Sequence, residues 1–157
     1  NLALIMKTDL TTVIKETMYS DNLVYQEEGG RIGIRNGKTG KTSRVPLKEA
    51  ELLLAVDGYD YIYAAGMDEN GMVTAIYYGK AGQGKDEWKK IGLPGPAKAE
   101  DIFVTANGSV YAVDRRAKII TDLESMDGVK YEGELLTVLD DYLVSVDGNK
   151  LLFRVLK

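Results

Sequence analysis

The chain contains neither cysteine nor histidine among its 157 residues. Their absence excludes disulfides, thiolate nucleophiles, the usual tetrahedral zinc sites and Ser-His-Asp triads. It also removes the side chain that ordinarily titrates near neutral pH. Only carboxylates, hydroxyls, amides, lysine and arginine remain for chemistry, and no cofactor is expected from them. Missing cysteine assigns no compartment, because reducing and oxidising environments both tolerate it.

Long apolar runs are missing too. Runs such as LALIM and Leu52–Val56, the latter flanked by Glu51 and Asp57, fall far short of the about 18 residues a membrane helix needs, so membrane insertion is not expected. The N-terminal LALIM lacks a basic flank before it and a small-residue cleavage site after it, which does not fit a signal peptide. Twenty basic and 24 acidic residues give a net charge of −4. The basic residues are dispersed rather than gathered into the face a phosphate backbone requires, so no nucleic-acid partner is expected.

What the chain does have is β punctuation. Asp101–Asp114, DIFVTANGSVYAVD, reads as two alternating segments joined by Asn107-Gly108, a dipeptide suited to a type I′ turn with positive φ at both central positions. LVYQEEGGRIGIRN, LLLAVDGYDYIYAAG and LLTVLDDYLVSVD repeat the form: apolar strand, short turn, apolar strand. Their starts at Leu23, Leu52, Asp101 and Leu135 fall at spacings within the roughly 20–50-residue range of repeat architectures. The reading is one all-β domain of about four units, 22–47, 51–93, 101–133 and 135–157, plus an N-terminal strand at 2–6. Each unit is a small antiparallel meander with a face to bury, and lone sheets of that size are marginal unless stacked.

Several stretches stay open between helix and strand. Asp9–Tyr19 and 48–56 carry spacings that fit either, and strand is favoured for both. Residues 119, 120, 123 and 126 could share a helical turn. PGPAKAE (94–100) is the most linker-like segment, and Pro46 belongs at an edge or strand end because it cannot donate to a ladder.

NGSVYAVD (107–114) resembles the second-strand motif of PQQ-like and related β-propeller repeats. IRNGKTGK (34–41) is similar to the hairpin those repeats place between second and third strands. The resemblance implies a small or partial β-propeller of about four short sheets, with a β-sandwich as the structural alternative. No Trp-Asp pair supports a WD40 assignment, and the resemblance carries no cofactor. It also implies that LALIM could close a ring by pairing with Leu151–Leu156, where the last unit lacks a fourth strand.

Short motifs weigh little against turn chemistry. GKTGKT (37–42) has Arg35 where a phosphate loop needs glycine; GKAGQGK (79–85) is followed by Asp86 rather than Ser or Thr. Asp68, Asn70 and Gly71 match part of a Ca²⁺ loop but lack its remaining ligands. The carboxylate pairs Asp57/Asp60, Asp86/Glu87 and Asp140/Asp141 fall at expected turns, where aspartate is favoured for backbone reasons. Asn107-Gly108-Ser109 matches a glycosylation acceptor, which matters only in a secreted eukaryotic protein.

The aromatics are less bland. Ten tyrosines and one tryptophan concentrate between Tyr59 and Trp88. Tyr59, Tyr61, Tyr77, Tyr78 and Trp88 form the candidate binding set, since exposed Tyr and Trp are enriched at recognition sites. Tyr77 and Tyr78, as neighbours in a strand, must point to opposite faces. The function expected is a non-catalytic interaction module that binds another protein or itself. The alternative is a lectin or carboxylate-dependent glycosidase, with sugar rings stacking on Tyr59, Tyr61 or Trp88.

Overall fold

A computed structural model describes the backbone of Val13–Glu16 and residues 21–157. The chain is all-β. Its fifteen described strands make four antiparallel sheets, none closed, each running in chain order. The first sheet is β1 (Val13–Glu16), β2 (Asn22–Gln26), β3 (Ile32–Asn36) and β4 (Thr42–Arg44). The second is β5 (Leu52–Val56), β6 (Ile62–Met67), β7 (Val73–Gly79) and β8 (Lys89–Ala97). The third is β9 (Ile102–Val104), β10 (Val110–Asp114), β11 (Ile119–Asp122) and β12 (Gly128–Lys130). The fourth has three described strands, β13 (Glu134–Leu139), β14 (Tyr142–Asp147) and β15 (Lys150–Val155). Four sheets of this kind leave no place for a two-sheet sandwich.

Strand periodicity sends alternate residues to opposite faces, and each interior sheet uses both. Val24, Ile32 and Ile34 of the first sheet pack with Leu53, Ile62, Ala64 and Trp88 of the second. The other face of the second, with Tyr63, Ala65, Val73 and Ile76, packs with Ile102, Val110 and Ala112 of the third. The opposite face of the third, with Tyr111, Val113 and Ile120, meets Leu135, Val138 and Leu143 of the fourth. The core is therefore three seams, each joining neighbours in sequence.

The ambiguous stretch 48–56 resolves as strand from Leu52, because both faces of β5 are covered and no helix could fill two seams at once. Residues 119–122 are strand, so 119, 120, 123 and 126 share no helix face; the reversal that follows is a single α-turn, the Met126 N–H donating to the Asp122 carbonyl at 2.7 Å. The linker-like PGPA belongs to β8, an edge strand with a register shift against β7, where proline costs no ladder bond. IRNGKTGK joins the third and fourth strands of its sheet, because β1 precedes the unit expected at 22–47. Of Asp9–Tyr19, Val13–Glu16 is strand; the rest, like LALIM and its pairing with Leu151–Leu156, lies outside the described residues.

The Asn107-Gly108 hairpin forms with a different turn. Only Gly108 takes positive φ, at +85°, while the Gly108 N–H donates to the Thr105 carbonyl at 3.0 Å. Asn107 keeps negative φ because its side-chain oxygen is used locally, by Thr105 Oγ1 and the Ser109 N–H. A type I turn closed by a left-handed glycine therefore replaces the type I′ form.

Candidate functional site

Turns at one end of the second, third and fourth sheets are tied together by polar contacts. The Asp57 carboxyl group, 2% exposed, accepts from the Tyr59 N–H at 2.8 Å, the Tyr61 N–H at 3.0 Å and the Tyr63 hydroxyl at 2.8 Å. The adjacent Gly58 N–H donates to the Ala106 carbonyl of the third sheet at 2.8 Å. Asn107 Nδ2 then donates to Asp141 Oδ1 of the fourth at 3.0 Å. Two of the carboxylate pairs thus have residues with positions in this framework. In the third pair, Glu87 Oε2 accepts from the Gly84 N–H at 2.7 Å within a 3₁₀ turn at Lys85–Glu87.

The five aromatic candidates separate. Tyr63 and Tyr78 are cross-strand partners and stack at 5.5 Å with 15° between planes; Tyr61 meets Tyr78 edge-on at 5.8 Å. This trio faces the third sheet. Lys80 Nζ sits 4.8 Å from the Tyr61 ring centroid, a cation–π distance. Tyr77 and Trp88 lie on the other face, against the first sheet. Trp88 is 8% exposed, and a Cβ at Gly79 would come 2.5 Å from its indole, so the ring lies flat on the Gly79 backbone with no face left for a sugar. Its Nε1 has no hydrogen-bond partner among the described residues. Tyr59 alone of the five is well exposed, at 62%, on the turn that Asp57 organises.

Burial, then the Asp57 hydrogen bond, pushes the Tyr63 phenol far above its ordinary pKa. That phenol is no proton shuttle near neutrality. Ser109 Oγ lies 3.0 Å from Lys157 Nζ, a spacing found in serine–lysine nucleophiles. Burial pulls the Lys157 pKa down, but the hydrogen bond and charge of Asp122, 3.1 Å away, outweigh it and leave a net upward shift. Asp122 thus favours the ammonium form of Lys157, the opposite of what a general base for Ser109 requires. A recess of about 310 Å³ beside it is lined by Tyr111, Asp122, Glu124 and Ser125. The described residues hold no group of three or more carboxylates placed to share a metal ion.

The largest concentration of exposed apolar side chains is on the fourth sheet. In the β13–β14–β15 register, Leu139, Tyr142 and Val155 align, Val144 pairs with Phe153, and Val146 pairs with Leu151, so all seven share one face. Phe153 is 67% exposed, Leu151 59% and Val155 57%; Leu139 and Tyr142 are also exposed, while Val144 between them is buried. The opposite face of the same strands supplies Leu135, Val138 and Leu143 to the third seam. The candidate set read from the sequence misses this face. The available signal was apolarity at both parities in YLVSV and LLFRVL, the pattern of a strand to be covered on both sides.

No protein-family model matches the chain, and no curated protein matches it.

Proposed function

We propose that the chain is a non-catalytic interaction module, built as a partial β-propeller, that associates with protein through the outer face of its fourth sheet. One observation carries the reading: Leu139, Tyr142, Leu151, Phe153 and Val155 lie exposed on one continuous sheet face. Contiguous apolar patches on a folded surface mark interaction sites, and Tyr and Phe are enriched in the cores of such interfaces. The β15 edge adds to it, since the other three sheets have a fourth strand where this one has none described. An unpaired edge is a template for another chain. Propeller-like support comes from chain-order meanders stacked face to face, sheet on following sheet. The functional reading rests on the face and not on the fold.

Site-specific photo-crosslinking tests it. A photoreactive side chain at position 153 is expected to capture a protein chain, whereas one at exposed Lys118, in the tight β10–β11 turn, is not. Equal, background-level capture from both positions overturns the reading.

A further inference from the structure

We propose that the partner is a second copy of this chain, docked head to tail: the outer face of the fourth sheet packs on the outer face of the first sheet of the other copy, and two copies close into one ring. This rests on the docking face proposed above and names its occupant.

The stacking order supplies the geometry. Each seam joins one face of a sheet to the near face of the sheet that follows it in sequence. Among the described residues, two faces are left without a facing sheet: the far face of the fourth sheet and the near face of the first. The latter carries Leu23, Tyr25, Arg35 and Arg44, opposite in parity to Val24 and Ile34, which face the second sheet. Tyr25 lies flat across Gly33, where a Cβ would fall within its ring. That posture turns a phenol into a broad, low platform that a facing sheet can approach. A second chain repeating the same order would bring exactly this near face to Phe153.

Charge favours the same pairing. The stretch 21–47 has five basic residues against three acidic ones, a net +2, within a chain of net −4. Arg35 and Arg44 sit on the outer face itself, Arg44 paired with Glu27 at 3.1 Å. The stretch 134–157 has four acidic residues, Glu134, Asp140, Asp141 and Asp147, against three basic ones, a net −1. Head-to-tail docking brings these opposite signs together, whereas fourth sheet on fourth sheet would juxtapose acidic turns.

Area separates the two arrangements as well. Three strands about 4.8 Å apart and about 20 Å long give a footprint of about 300 Å². A single face-to-face contact buries about 600 Å² in total, short of the roughly 1,200 Å² at which stable interfaces begin. A closed head-to-tail pair makes that contact twice and reaches about 1,200 Å². Heterologous contacts close into rings when their rotation permits, and closure here leaves neither leftover face exposed.

Light scattering behind a sizing column, on the 157-residue chain and its variants, decides the matter. The chain mass is 17.3 kDa, and the expected result at tens of micromolar is twice that. Phe153→Asp and Tyr25→Asp are each expected to return the mass to one chain, with far-UV circular dichroism unchanged. Arg35→Glu, at an exposed position, serves as a second first-sheet variant and is expected to weaken dimerisation at least tenfold. An equimolar mixture of Phe153→Asp and Tyr25→Asp chains keeps one of the two contacts intact, so it is expected to associate more than either variant alone but more weakly than the parent chain. A monomeric parent chain, or a mass above two chains, overturns the proposal. Dissociation by Phe153→Asp but not by Tyr25→Asp or Arg35→Glu also overturns it and leaves the docking face standing. The same holds if position 153 crosslinks to a different protein. Capture of no chain from position 153 removes both readings.

Discussion

Tyr63 donates its hydroxyl to Asp57 Oδ2 across 2.8 Å, and both side chains are buried. The pair does more than satisfy itself. Asp57 fixes the β5–β6 turn through two backbone N–H groups, and Tyr63 comes within 3.5 Å of the Gly108 carbonyl on the third sheet. One carboxyl group thus sets a turn and the position of the next sheet against it.

Replacing Asp57 with alanine strands three donors in a buried site. Unsatisfied buried groups cost about 1–3 kcal/mol each, so a loss of at least about 3 kcal/mol is expected, read by urea denaturation. Tyr63→Phe removes one donor and keeps the ring stacked on Tyr78, so a loss of about 1 kcal/mol is expected. Equal losses for the two variants would mean that the Tyr63 hydroxyl bond accounts for the whole contribution of Asp57 and that its two backbone bonds add nothing.

Gly79→Ala drives a methyl group into the Trp88 indole, which is packed within the first seam. Overpacking of this kind costs about 1–3 kcal/mol. Trp88 is the single tryptophan of the chain, so its fluorescence reports the change directly. The emission should shift to the red and become more accessible to acrylamide; an unaltered spectrum would place the indole elsewhere.

Three buried phenols, Tyr63, Tyr111 and Tyr131, have pKa values pushed upward, in each case chiefly by burial. A phenol raised in the folded state keeps its proton while the unfolded chain gives one up. Stability is therefore full below pH about 10 and falls as the pH rises beyond it, by at most about 1.4 kcal/mol per pH unit for each such group. Tyr131→Phe should make the alkaline limb of a stability–pH curve shallower. A flat limb from pH 9 to 11 in the parent protein would refute the burial of these phenols.

Leu151→Lys and Val155→Lys place charge on the exposed face of the fourth sheet. Each should alter unfolding stability by less than about 0.5 kcal/mol under conditions where the chain is monomeric, while lowering the binding of a hydrophobic dye. A stability loss of several kcal/mol would show that the face is covered within a single chain.

Much of the architecture was legible because its turns are local. Asp68 and Gly71, Asp147 and Gly148, and Asn107-Gly108 all mark observed reversals, since side-chain acceptors and positive φ are needed within a few residues. The turn type at Asn107 was not legible, because Thr105 and Ser109 compete for its side chain. PGPA read as linker because proline signals a break, whereas an edge strand leaves its missing donor harmless. The aromatic set was legible as a concentration but not as two groups. Whether Tyr78 meets Tyr63 or Trp88 is decided by strand register, which spacing in the sequence does not fix. The Phe153 face was hidden for a related reason: an apolar strand looks the same whether a neighbour covers it or not.

The three seams also set how the molecule comes apart. Within a single chain, and among the described residues, the second and third sheets are each held on both sides, while the first and fourth are held on one. Chains coupled only to nearest neighbours behave as a row of linked units and loosen from the ends inward. Amide exchange should therefore be slowest in β6, β7 and β10 and fastest in β4 and β15, with a gradient rather than a single global opening. A ribosome releasing this chain would let each described sheet settle on the one already made, so none of the three seams has to wait for a strand from the far end of the chain.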